Sequence, residues 1–141
     1  MDGAMNLAAL VTAHAEDARA LHDGERWATW GEVRRRAAGV TVALREAGVG
    51  ADDRVAVAWP TSVEFVAAYL GILAAGAVAV PLNPNSPAAE LERELEAVTP
   101  ALALVGGNAR QAMAGSARTV YSEFPPPADH YEVAERRDDD I

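Results

Sequence analysis

Gly106 and Gly107 follow an apolar run and precede a weak helical pattern, a place where backbone N–H groups can wrap a phosphate. Their spacing matches neither G-x-G-x-x-G nor the Walker pattern. The chain also has no lysine to meet outer phosphates, since all 12 basic residues are arginine. A turn is the plainer reading. Arg34, Arg35 and Arg36 supply three cations, but consecutive helical residues fan across about 200° of a helix. They read as a solvated face rather than an anion clamp. His14, His22 and His130 stand far apart, with no H-x-x-x-H spacing, which argues against a metal site. The acid-rich tail ERRDDDI, from Glu135 to Ile141, has no glycine-turned loop or spaced ligands. Ser62, Ser86, Ser116 and Ser122 lack the G-x-S-x-G elbow. Cysteine is absent, which removes disulfides, thiolate metal sites and cysteine nucleophiles together. No residue earns a catalytic, cofactor-binding or metal-binding role on type and spacing alone.

The elements that would position such residues are easier to read. Asn6 caps a first helix with Leu7, Leu10 and Val11 on one face. Ala18–His22 and Glu25–Ala28 flank Asp23-Gly24, a tight hairpin signal. Thr29 and Glu32 have capping-box spacing, and Val33, Ala37, Val40, Leu44 and Ala47 then form an apolar stripe ended by Gly48. Arg54–Trp59 alternates with valines and stops at Pro60, which has no N–H to donate. Thr61 and Glu64 repeat the capping box ahead of a helix closed by Gly76. Val78–Val80 is a second strand, ended by Pro81. Ser86 and Pro87 suit the N-cap and first position of a helix bearing Leu91, Leu95 and Val98. Ala101–Val105 is a third strand. A weaker helix at Ala109–Ala114 precedes a fourth strand at Arg118–Tyr121, then loop and a charged tail from Tyr131. Strands alternating with helices predict an α/β fold: a doubly wound, mainly parallel sheet of β-α-β units with a short N-terminal hairpin. No linker divides the chain, so residues 1–141 read as a single domain.

The net charge of −9 would repel phosphate backbones and makes nucleic acid a poor partner. Half the residues are hydrophobic, enough for a core. The uncharged run from Phe65 to Leu82 just reaches membrane-spanning length. Gly76 and Pro81 interrupt it, so a buried helix followed by a buried strand explains it better than stable membrane insertion. The opening Met1-Asp2-Gly3 lacks the basic start of a secretory signal, and a cytoplasmic location is expected.

Three runs carry a resemblance: TWGEVRRRAAGVTVALREAGVGADDRVAVAWP, TSVEFVAAYLGILAAGAVAVPLNP and SPAAELERELEAVTPALALVG. In order and spacing they resemble the N-terminal region of the adenylate-forming superfamily, the AMP-dependent synthetases and ligases, most of all acyl-CoA synthetases. The family typically reads Thr-Tyr-x-Glu-Leu where this chain has Thr29, Trp30, Gly31, Glu32 and Val33, and Pro-Asn where it has Pro60 and Thr61. Both departures keep the helix start. The resemblance implies a parent enzyme that activates a carboxylic acid with ATP and magnesium as an acyl-adenylate, then passes it to a thiol, commonly coenzyme A. Asp139, Asp140 and Ile141 look like the lead-in to the family's phosphate loop. This region is therefore expected to act as scaffold, to bind no cofactor alone and to be inactive alone. Its expected partners are the remaining subdomains of the ligase, or another copy through an exposed apolar face. Thr61 and Asn83, just past two strand ends, are the candidates for lining the substrate cleft, because open α/β sheets gather ligands there. Two other classes stand beside this one: a standalone α/β binding or interaction module from a truncated ligase gene, and a small membrane-associated protein.

Overall fold

The computed structural model describes residues 9, 14–106, 119–121 and 123–134. The helix expected from Asn6, the weak helix at 109–114 and the acidic ending lie outside the described residues.

A hairpin of β1 (Arg19–His22) and β2 (Trp27–Thr29) leads directly into α1 (Trp30–Glu46). Then come β3 (Arg54–Ala58), α2 (Val63–Ala74), β4 (Val78–Pro81), α3 (Ala88–Val98), β5 (Leu102–Val105) and β6 (Thr119–Tyr121). The hairpin is antiparallel, and its turn is held by Asp23 Oδ1, which accepts from Glu25 N at 3.1 Å and Arg26 N at 3.2 Å. The last four strands form one sheet in the order β4-β3-β5-β6, every pairing parallel.

Helices cover both faces of that sheet. Val55 and Val57 of β3, with Leu102 and Leu104 of β5, pack under Val40 and Leu44 of α1 and Ala68 and Ile72 of α2. The alternate residues Ala56, Ala58, Ala103 and Val105 meet Leu91 and Leu95 of α3 on the other side. This is why β3 and β5 read as continuous apolar runs: a parallel strand buried on both faces has no polar side. The uncharged run from Phe65 to Leu82 is divided between α2 and β4. No described helix is long and apolar enough to cross a membrane.

Helices α1 and α2 lie unusually close. A Cβ added at Gly71 would come within 2.5 Å of Ala37 O and 2.8 Å of Val40 Cβ. Thr41, only 3% exposed, points its single O–H between Gly71 O at 2.8 Å and Ala37 O at 3.1 Å. A buried hydroxyl needs such partners, because an unsatisfied one costs about 1–3 kcal/mol.

The helix starts differ from the sequence expectation in detail. Thr29 does cap α1, accepting from Glu32 N at 3.1 Å. The Glu32 carboxylate does not complete the box; it takes two N–H bonds from Arg26 (3.0 and 2.7 Å) and one from Arg36 (3.2 Å). At α2 the cap is Ser62, not Thr61. Ser62 is extended (φ −169°, ψ 178°), its Oγ accepts from Phe65 N at 3.2 Å, and its hydroxyl donates to Pro60 O at 2.9 Å. At α3 Pro87 is the cap residue and no side chain caps the helix, so Ser86 does not serve there. Gly48 and Gly76 close α1 and α2 with φ of 79° and 80°, as their positions suggested.

Replacing Thr41 by valine should lower the unfolding free energy by about 1–2 kcal/mol, because both carbonyls then face a methyl group. Denaturant titration reads this, and a stability equal to the parent would show that the bridging hydroxyl contributes nothing. The Glu32 cluster gives a second expectation. Hydrogen bonding from Arg26, foremost, holds the Glu32 carboxyl below its ordinary value of 4.5, with burial opposing. A depressed folded-state pKa adds stability above the unfolded value and loses it as pH falls through the folded one. Stability should therefore fall less steeply below about pH 4.5 in Glu32→Gln than in the parent; parallel acid profiles would refute the cluster's role.

Candidate functional site

In an open parallel sheet, ligands collect beyond the carboxyl ends of the strands, above all where neighbouring crossovers leave in opposite directions. Here β3 is followed by a helix on one face, and β5 is preceded by a helix on the other. The place to examine is therefore the crevice between the ends of β3 and β5, with Thr61 and Asn83 on the same edge.

That crevice is filled from within. Trp59, directly after β3, lies against Gly106, directly after β5: a Cβ on Gly106 would sit 3.1–3.2 Å from the indole and 3.3 Å from Pro60 Cδ. Gly106 N donates to Ala58 O at 2.9 Å, fixing that approach. Phe124 meets the indole edge-on, with ring centroids 5.6 Å apart. The role of Gly106 is thus a close backbone seat for a large ring.

A helix start can also draw an anion, through its unpaired N–H groups and its dipole. At α2 that place is taken by the chain's own oxygens. Ser62 Oγ holds Phe65 N. The carboxyl of Asp23, in the hairpin turn, is held below the usual carboxylate range chiefly by the N–H groups of Glu25 and Arg26, with the Val63 N–H contributing. Among the described residues, neither the crevice nor this helix start has the donor set of a phosphate cradle.

Thr61 is exposed in the bend between Pro60 and the Ser62 cap. Asn83 is exposed beyond β4, where its Oδ1 accepts from Asn85 N at 2.9 Å and its carbonyl accepts from Ser86 N at 3.2 Å, an Asx-type turn. The two stand at the ends of the adjacent strands β3 and β4. In the sequence Trp59 reads only as a strand end and Asp23 only as a turn residue. A tryptophan and proline ending one strand, with a glycine ending another, was the available signal for the first.

The three histidines stay apart. His14 stacks on Trp30 at 4.3 Å, His22 meets Trp27 edge-on at 5.2 Å, and His130 bonds Glu132 at 2.9 Å. No group of three metal-ligating side chains occurs among the described residues. The arginines do not converge either: Arg35 pairs with Glu16 at 2.7 Å, while Arg36 reaches Glu32 at 3.2 Å and Glu64 at 3.3 Å.

Fold and edge together define a layered α/β sheet with Trp59 seated against Gly106 at the carboxyl ends of β3 and β5. The chain belongs to the AMP-binding enzyme family, whose pattern matches residues 8–140. What it matches is the N-terminal region of the adenylate-forming superfamily. Phenyloxazoline synthase MbtB of Mycolicibacterium paratuberculosis is 42% identical over 91 residues, which is 64% of this chain and 8% of that protein. The structure of the anthranilate CoA ligase AuaEII in complex with anthranoyl-AMP superposes with a TM-score of 0.84 at 22% identity, covering 97% of this chain and 30% of that one. ATP-bound MatB from Rhodopseudomonas palustris gives 0.79 at 24% identity, covering 96% and 31%. The chain therefore spans less than a third of those structures and under a tenth of the synthase. The kinship by sequence is with a synthase, whereas the two CoA ligases share the fold.

Truncating Trp59 to alanine should cost about 3 kcal/mol of stability, since it empties a seat shaped by Gly106 and Phe124. A thermal or denaturant midpoint within error of the parent would show that the indole does not fill the crevice.

Proposed function

We propose that these residues form the N-terminal scaffold of an ATP-dependent ligase that activates a carboxylic acid as its acyl-adenylate and passes the acyl group to a thiol. The observation that carries this reading is the AMP-binding family match over residues 8–140, nearly the whole chain. In this reading the sheet and its helices are a wall of the cleft, and Thr61 and Asn83 line it from the carboxyl edge of β3 and β4. The cations that stabilise charge developing at the α-phosphate, and the groups that close the site to water, come from the rest of the polypeptide. Residues 1–141 form one domain of it and by themselves neither adenylate nor ligate.

Coenzyme A is one acceptor, by likeness of fold to the anthranilate CoA ligase AuaEII. Kinship with a phenyloxazoline synthase, of which this region is 8%, favours a second acceptor, a thiol carried on the same long polypeptide. The two differ in the product: a free thioester in one, an acyl group covalently retained on the protein in the other.

The complete natural polypeptide should catalyse carboxylic-acid-dependent exchange of pyrophosphate into ATP, and residues 1–141 alone should not. Exchange by residues 1–141 alone would overturn the scaffold reading, and none by the complete polypeptide with a broad panel of acids would overturn the ligase reading. Thr61→Arg and Asn83→Arg in the complete polypeptide should raise KM for the acid more than they lower kcat. Unchanged kinetics would remove both residues from the cleft.

A further inference from the structure

The bend that carries Thr61 is held at its two ends in different ways. At one end Trp59 and Pro60 pack against Gly106. At the other end begins α2, whose first turn touches both α1 and the hairpin. Val63, fully buried, packs with Ala28 of β2 and Val33 of α1, and Ala20, Leu21 and Leu70 lie around them. This small cluster is separate from the two that cover the sheet. Beside it Glu64 pairs with Arg36 at 3.3 Å, and the same guanidinium meets Glu32 at 3.2 Å. Glu32 is held in turn by Arg26 of the hairpin, at 3.0 and 2.7 Å.

Two arginines and two glutamates make this ionic cluster neutral, and Arg36 joins its halves. The side chains of Arg36 and Glu64 are each 28% exposed, so their pair is partly screened and contributes little to stability. What the pair fixes is position. Ser62 holds Phe65 N and reaches back to Pro60 O, which leaves only Pro60 to Ser62 to absorb any shift of the helix start. Without Arg36 the cluster carries one uncompensated negative charge, and Glu64 loses its tie to α1. The first turn of α2 then moves, and the adjoining Thr61 moves with it.

We propose that Arg36 is a positioning residue for the cleft: by holding Glu64 against α1 and the hairpin, it sets the bend from which Thr61 meets the substrate. This rests on the ligase reading and on Thr61 lining the cleft. It also gives the hairpin, which lies outside the parallel sheet, a part in the reaction.

The complete natural polypeptide tests this, with KM for the acid read from pyrophosphate exchange. Arg36→Met keeps the aliphatic stem and removes the charge. It should raise KM about fivefold with kcat within about twofold, at a melting midpoint close to the parent's. Adding Glu64→Gln removes the uncompensated charge, and the double variant should return KM to within about twofold of the parent. A lost structural contact would not be restored by removing its partner as well. Arg36→Lys keeps the charge without the planar fork; its KM should fall between, and it carries the same test where the methionine variant does not fold. Salt at about 1 M, where charges act over only about 3 Å, should narrow the gap between Arg36→Met and the parent. A folded Arg36→Met with the parent's KM would overturn the proposal, and so would a double variant as impaired as the single one. Exchange by the parent reports the ligase reading separately, and Thr61→Arg reports the cleft. With both of these standing, an unchanged Arg36→Met sinks the positioning role alone.

Discussion

At Gly71 the backbone of α2 comes near enough to α1 for Thr41 to donate into its carbonyl, and the layering of the molecule follows from that spacing. Small residues are common on these helices, and Ala37, Ala38, Ala67 and Ala68 are fully or almost fully buried. Small side chains give little apolar area each, so cohesion depends on close approach and the many dispersion contacts it permits. The seam therefore tolerates very little added volume. Because α1 and α2 sit as one slab, Leu44 and Ile72 reach the sheet together and cover β3 and β5 as a unit.

The charged residues do a different job. Glu32 joins Arg26 beside the hairpin turn to Arg36 of α1, and Arg36 reaches on to Glu64 of α2. Each member is partly exposed, and such pairs contribute little energy singly. As a chain of four across three elements, they fix where the hairpin lies on the helical slab. That placement sets the Asp23 turn near the start of α2, where the Val63 N–H adds to the groups that hold its carboxyl low.

Architecture was legible because its signals are periodic and local. Alternating valines, the stripe from Val33 to Leu44 and the closing glycines each act within one element. The helix caps were legible only to within one residue. Thr61 and Ser62 are both competent caps, and the choice fell to Ser62 because its extended backbone also lets the hydroxyl reach Pro60 O. Arg36 stands four residues after Glu32, a pairing that helix spacing foresees, whereas the Arg26–Glu32 and Arg36–Glu64 pairs need the elements to be packed first. The candidate edge for Thr61 and Asn83 follows from strand direction alone. The filled crevice beside it does not, since it needs Gly106 and Phe124, remote in sequence, brought to Trp59 by the parallel order of β3 and β5.

Pro81 also bears on how the protein is made. The unit β3-α2-β4 closes over a short stretch of chain ahead of β5 and β6, and its outer edge, where Pro81 has no N–H to donate, is finished when it forms. Unpaired strand edges are where nascent chains stick to one another. That hazard is left to the other side of the sheet, where β5 and β6 follow later in the chain. The proline thus gives assembly a direction, with growth of the sheet running away from the part that folds first.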